Sequence, residues 1–154
     1  MAASPDVIAH LNILLKNELT AINQYFLHSR LARHWGLQKL ADKMYEESID
    51  EMKHADLLIK RILFLDGHPN LQDLGKLFIG ENGVEALECD LKLESIGHAD
   101  LLKALVVCQE AGDNVSEQLV EEILKSEEEH ADWLQQQLRL VEQLGKANYL
   151  QTQV

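Results

Sequence analysis

Apolar residues recur along this chain at spacings of three and four, the period of a helix with one buried face. Breakers divide the pattern into four long segments and a tail. The first opens on Ser4-Pro5-Asp6, a capping serine followed by proline at the first helical position and an acid in the first turn. It carries Leu11, Leu14, Leu15, Ile22 and Phe26 on one face until Gly36. The second runs from Gln38 to Leu65 and is ended by Gly67 and Pro69. The third starts near Asn82, with Glu85 three residues on as a capping-box variant, and continues to Ala111 before Gly112. The fourth runs from Asp113 to Gly145, and Lys146 to Gln151 predicts a short fifth helix. Segments of this length make helices of roughly 40–45 Å. Very short joints after the first and third make those neighbours antiparallel, and the long joint from Gly67 to Glu81 leaves one crossover. The expected fold is an all-α four-helix bundle with one long crossover and a short fifth C-terminal helix.

Four polar interruptions of these stripes carry the chemistry. Glu18 shares a face with Leu11, Leu14, Leu15, Ile22 and Tyr25; Glu51 shares one with Met44, Ala55, Leu58 and Ile62. Glu94 follows Leu87 and Leu91, and Glu127 follows Val120, Ile123 and Leu124. His54 and His130 each lie three residues after a stripe glutamate, next to it on the same helix face. Glu-x-x-His pairs arise by chance in a chain this rich in Glu, so the pairs alone say little. The arrangement says more. Glu18 and Glu51 are 33 residues apart, as are Glu94 and Glu127, and positions 18, 51 and 54 return as 94, 127 and 130 at an offset of 76. Such a repeat fits two helical hairpins facing each other about a pseudo-twofold axis. An unpaired buried carboxylate is costly, so four converging ones call for counter-charge. Two divalent ions would balance them, with two neutral imidazoles completing the shell. One Glu from each of two helices and Glu-x-x-His from each of the other two is the donor set of di-metal carboxylate bundles, and it suits iron or manganese, with zinc competing.

Composition narrows the partners. The chain has 154 residues, 26 acidic against 14 basic, for a formal net charge of −12. That balance disfavours nucleic acid and anionic membranes and favours cations. The longest apolar stretches, such as Leu101 to Cys108, are far shorter than a membrane span, and the N-terminus has no secretory pattern. Cys89 and Cys108 fall within one expected helix, roughly 28 Å apart by helical rise, too far for a disulfide. They read as free thiols of a reducing cytosol.

Three long strings, Asn17 to Arg30, Glu47 to Glu81 and Glu127 to Leu150, make the chain resemble the bacterioferritins over nearly its whole length. The resemblance implies one ferritin-like domain over residues 1–154 and a cytoplasmic hollow shell of 24 subunits, alone or mixed with a second subunit type. It implies oxidation of ferrous iron by O2 or H2O2 and storage of the ferric mineral inside. Matched residue by residue, Glu51 and Glu127 would bridge two irons, with Glu18 and His54, and Glu94 and His130, as terminal ligands. Tyr25 lies seven residues from Glu18 on the same face and should sit near the metals; with Trp133 it matches positions that pass electrons in similar proteins.

Met52 lies about 100° around its helix from Glu51, on a stripe with Tyr45, Ile49 and Ile59, near Leu19, Ile22 and Phe26 of the first helix. From the residues alone it is an apolar face outside the bundle core, as at a subunit interface. The resemblance makes Met52 the axial ligand of haem b, one per two subunits, and suggests a small ferredoxin docking near the haem for iron release. Two positions depart from the family. Glu46 stands where several members carry a histidine that, with the acid matching Asp50, binds a further iron, and Leu58 stands where some carry tyrosine. His10, His28, His34, His68 and His98 show no partner pattern and read as surface or packing residues; Glu117, Glu121 and Glu128 read as a solvated face. The competing reading from another class is a di-metal redox enzyme of the same bundle that stores no iron, a peroxidase or manganese catalase. A purely structural bundle is the third.

Overall fold

The computed structural model describes residues 4–154, so residues 1–3, part of the stretch read above for a secretory pattern, lie outside the described residues. Five helices follow in order: α1 (Pro5–His34), α2 (Gln38–Phe64), α3 (Gly83–Glu110), α4 (Asn114–Leu144) and α5 (Lys146–Gln151). The expected segments and the observed helices agree to within one or two residues. The caps explain this. Ser4 Oγ accepts from the Asp6 N–H at 3.3 Å, Asn82 Oδ1 from the Glu85 N–H at 2.9 Å, and Asp113 Oδ1 from the Ser116 N–H at 3.1 Å. Glu85 also reaches back, accepting from the Glu81 N–H at 3.1 Å.

Three helices end on one motif. The N–H of Leu37 donates to Ala32 and that of Gly36 to Arg33, and the same pair of bonds closes α3 through Asp113 to Cys108 and Gly112 to Gln109. The reversing residues are left-handed, Gly36 at φ 84 and Gly112 at φ 68. They too are separated by 76 residues. In α2 the reversing residue is Asp66 at φ 61, a residue type that tolerates this region better than most.

α1 and α2 form one antiparallel hairpin and α3 and α4 the other. The crossover between α2 and α3 runs alongside α1, held by side chains at every fourth position of that helix. Asn12 accepts from the Asn70 N–H at 2.9 Å, Thr20 from Gly75 at 2.8 Å, Gln24 from Phe78 at 2.9 Å and His28 from Gly80 at 3.0 Å. Lys16 pairs with Asp73 at 3.6 Å. Gly80 is fixed by space, since a Cβ there would lie 2.3 Å from the Ala86 nitrogen.

His28 therefore differs from the sequence reading, which gave it no partner. It is fully buried, its Nδ1 lies 2.7 Å from Asp90 Oδ1, and Gln24 Nε2 donates to the same oxygen at 2.9 Å. Because Nε2 accepts from Gly80, the proton sits on Nδ1 and is donated to Asp90. His98 is likewise paired, 2.8 Å from Glu128.

The interior has two large apolar clusters, with a small third of Ala21, Tyr25 and Leu93, and a layer of buried polar residues. The first gathers Leu11, Leu15, Leu58, Ile62, Leu101 and Ile123; the second gathers Leu40, Met44, Leu87, Leu134 and Tyr149. α5 closes the second: Tyr149 is fully buried, donates to Gln137 at 2.6 Å, and is followed by a bond from the Lys39 N–H to Gln153 O at 2.9 Å. Both cysteines are free, and among the described residues no helix is long and apolar enough to cross a membrane.

Candidate metal centre

The polar layer is built by one residue or pair from each long helix. Glu18 of α1, Glu51 of α2, Glu94 of α3 and Glu127 of α4 are 4%, 1%, 2% and 6% exposed, depths at which an ionised carboxylate needs a partner. One donor atom from each of Glu18, Glu51, His54 and Glu127 lies within 4.8 Å of the others. His54 Nδ1 is 3.5 Å from Glu18 Oε2 and 3.6 Å from Glu51 Oε2 and Glu127 Oε1, too long for hydrogen bonds, so all four atoms face one space unpartnered.

The other half is tighter. His130 Nδ1 lies 2.6 Å from Glu94 Oε1, and the Tyr25 hydroxyl donates to the same oxygen. Glu94 Oε2 is left without a partner. The sequence reading missed one residue here. Glu47, 6% exposed and one turn before Glu51, sets its Oε2 3.6 Å from His130 Nδ1, and Glu47, Glu51 and His130 form a second group of donors within 4.8 Å. Lys43 pairs with Glu47 at 3.0 Å. The spacing of four from Glu51 was the available signal.

Electrostatics follow from burial. Burial first, then the neighbouring carboxylates, hold Glu18, Glu51 and Glu94 well above the usual carboxylate range, and push Glu127 to about 7. Burial pulls His54 down, but the carboxylates of Glu127 and Glu51 outweigh it and raise the imidazole to about 10. His130 is raised in the same way, chiefly by Glu94 against the opposing effect of burial. Each pair of ionised carboxylates about 4 Å apart repels by on the order of 4 kcal/mol at an effective dielectric constant of 20. The set is thus stable in two conditions only: holding extra protons, or holding cations. Carboxylate oxygens with two imidazoles, and five unpartnered buried donor atoms pointing inward, fit two divalent metal ions of the iron or manganese type.

Tyr25 and Trp133 flank the second half. The Tyr25 ring meets His130 edge-on at 5.2 Å, and Trp133 stacks on His130 at 6.4 Å with Lys43 over its other neighbourhood at 5.2 Å. Met52 is on the outside, 53% exposed. Of its stripe, Ile59 packs partly against the core, whereas Tyr45 stays exposed and its ring lies 6.4 Å from Phe26, with the Arg30 guanidinium 4.9 Å from the Phe26 ring and 5.4 Å from Tyr45. Leu58 is fully buried in the core. Glu46 is exposed and Asp50 half-buried, and neither joins a three-donor group among the described residues.

Comparison with known proteins gives a consistent picture. Residues 8–144 match the ferritin family, described as a ferritin-like domain. The chain is 48% identical over 149 residues to a bacterioferritin of Brucella melitensis, covering 97% of this chain and 92% of that one. It is 49% identical over 153 residues to a bacterioferritin of Rhodobacter capsulatus, with the same coverage. To a bacterial ferritin of a Synechocystis species it is 44% identical over 155 residues, 100% of this chain and 99% of the other.

Proposed function

The chain belongs to the bacterioferritin family of ferritin-like proteins and serves iron storage, and from that premise we propose that it stores iron as a ferroxidase, through the carboxylate layer just described. The observation that carries this reading is the convergence of four buried glutamates with two imidazoles and no Lys or Arg among the six.

In this reading Glu51 and Glu127 would bridge two irons, with Glu18 and His54 completing one ligand set and Glu94 and His130 the other. Each pair of ferrous ions gives up two electrons, which with two protons reduce O2 to H2O2 or H2O2 to two waters. The chain's own residues supply position and charge balance. Glu94 is held by two donors, Tyr25 and His130, and Tyr25 and Trp133 stand close enough to His130 to relay electrons. In the metal-free protein a proton is held between His130 Nδ1 and Glu94, so binding metal through Nδ1 would displace that proton, and loading would exchange a proton for a cation.

The finer claims rest on the family and on the exposed face of α2. Twenty-four chains would close a cytoplasmic shell, with or without a second subunit type. Met52 would present its sulfur to haem b at a twofold interface, one haem per two chains. An exposed methionine about two helical turns from Tyr45 on the same face, with the exposed Phe26 ring against Tyr45, offers apolar surface for a flat ligand. The haem would carry electrons inward from a small ferredoxin to release iron.

One purification tests the whole. Anaerobic Fe²⁺ titration should show two ions per chain, air should then oxidise them, and the particle should retain hundreds of irons. A small particle that turns over peroxide without retaining mineral would replace storage with a peroxidase or catalase reading. A visible haem spectrum that survives unchanged in Met52→Leu would remove Met52 as the ligand.

A further inference from the structure

Two cavities of unequal size border the carboxylate layer. Between α1 and α3 the opening is about 10 Å³, room for one water, and at its rim Asn17 Nδ2 donates to Asp100 Oδ2 at 2.8 Å, so those two side chains already satisfy each other. Between α3 and α4 lies a groove of about 360 Å³ whose lining includes both Glu94 and Glu127. That volume admits a cation together with waters.

The groove's chemistry is one-sided. Four of its nine lining residues are carboxylates, one is an imidazole, and none is Lys or Arg. α3 contributes Glu94 and, one turn on, His98; α4 contributes Glu127 and Glu128 and, one turn on from Glu128, Asp132. At the mouth His98 Nε2 meets Glu128 Oε2 at 2.8 Å, both side chains being exposed. At the floor Glu94 and Glu127 are buried, and Glu94 Oε2 has no hydrogen-bond partner. An unsatisfied buried acceptor at the base of a groove walled by acids points to a positive occupant.

We propose that the α3–α4 groove is the path by which hydrated divalent cations reach the dinuclear centre, with His98, Glu128 and Asp132 as the transient donors at its mouth. This rests on reading the centre as the iron-oxidising site. Exposed donors bind weakly enough to hand an ion on, while the buried pair below binds it better. That gradient is what conduction toward a site needs. His98 suits the role because its ring is already held against Glu128, so the imidazole and carboxylate are presented together.

The test uses Co²⁺, which reports binding by its visible absorption and needs no oxidant. Stopped-flow mixing with the metal-free assembly should fill two sites per chain in the unsubstituted protein. In a triple variant, His98→Ala with Glu128→Gln and Asp132→Asn, the same two sites should fill at least about tenfold more slowly at low salt, and the rate should lose most of its salt dependence. Ala131→Lys, which places a positive charge on the groove wall, should slow loading with the final occupancy unchanged. Asp100→Asn, at the other opening, should load at the unsubstituted rate. The proposal is overturned if the triple variant and Ala131→Lys both load normally, or if Asp100→Asn slows loading as much as they do. An unsubstituted protein that binds no Co²⁺ pair would overturn the reading of the centre itself, a result separate from any change of rate among variants that do bind.

Discussion

The two halves of the carboxylate layer are built from one repeat and yet are not alike. Around His54 the donor atoms of Glu18, Glu51 and Glu127 face a shared space with no hydrogen bonds among the unpartnered ones. Around His130 the imidazole is bonded to Glu94, Glu94 is bonded to Tyr25, and Glu47 stands behind. The difference lies where the repeat fails. Seventy-six residues on from Tyr25 is Leu101, 2% exposed, and 76 on from Glu47 is Ile123, fully buried. One half has a phenol and a fifth carboxylate where the other has two aliphatic side chains. The pseudo-twofold therefore fixes which atoms can bind metal, and the departures from it decide which half is held in hydrogen bonds beforehand.

The largest test of this picture removes Glu127, proposed above as one of the two carboxylates that would bridge the metals. If Glu127 bridges the metals as proposed, Glu127→Gln should lower the iron-oxidation rate by about 100-fold or more. The same change should raise the stability of the metal-free protein at neutral pH by roughly 2–3 kcal/mol, since it removes a group whose ionisation the folded state resists. Activity and thermal midpoint moving in opposite directions is the signature of a site strained without its metal. A variant less stable than the parent would show that the layer is already balanced.

A second test asks which protons do the balancing. Glu127 titrates near 7 in the fold against 4.5 in a free chain, so the native state holds more protons between those values and its contribution to stability falls as pH rises through that window. His54, raised from 6.5 to about 10, acts in the same direction: its contribution is complete below 6.5 and disappears as pH rises through 10. Metal binding has the opposite slope, because the ligands must be deprotonated. The stabilisation conferred by Co²⁺ or Zn²⁺, read as the shift of thermal midpoint, should therefore grow steadily from pH 5.5 to 8.5 (roughly the range over which these groups are in play). A shift that is flat with pH would mean that no buried proton is displaced.

How much of this was legible beforehand depends on the kind of information each residue carries. Helix ends were legible because caps and reversing residues act locally: Ser4, Asn82, Asp113, Gly36 and Gly112 do in the structure what their types predict. Glu18, Glu51, Glu94 and Glu127 were legible as polar breaks in apolar stripes. Their shared burial bears that reading out, while their roles as ligands remain a proposal. What stayed hidden involves partners remote in sequence. His28, Gln24 and Asp90 are bound across three elements, and the row Asn12, Lys16, Thr20, Gln24 and His28 makes sense only once the crossover lies against it. Glu47 hid among other acids of α2, since nothing local distinguishes a buried acid from a solvated one.

A smaller test erases the asymmetry at its most specific point. Tyr25→Phe keeps the ring and removes the bond to Glu94, leaving that carboxylate with His130 alone. The metal-free protein should lose about 1–2 kcal/mol, the usual cost of one missing partner in a buried pair, measured by denaturant midpoint. Iron oxidation should slow by several-fold with two metal ions still bound per chain. If the oxidation rate is unchanged, Tyr25 serves only to hold Glu94 in place.

The smallest effect is expected where the repeat departs by a single methyl group. Gly97 lies 76 residues on from Ala21, and both line the narrow opening between α1 and α3. Glycine inside a helix costs up to about 1 kcal/mol relative to alanine, and here no packing repays it, because a Cβ at Gly97 meets nothing within 4 Å. Gly97→Ala should accordingly stabilise the chain by about 0.5–1 kcal/mol while adding bulk beside an opening that now admits about one water. Loading with Co²⁺ should be untouched if cations use the α3–α4 groove. Oxidation of metal already bound should slow if the small opening admits the uncharged oxidant. A stabilised variant with both rates unchanged would leave the glycine a residue of the helix surface and assign the opening no traffic, and the functional asymmetry of the two halves would then rest on Tyr25 and Glu47 alone.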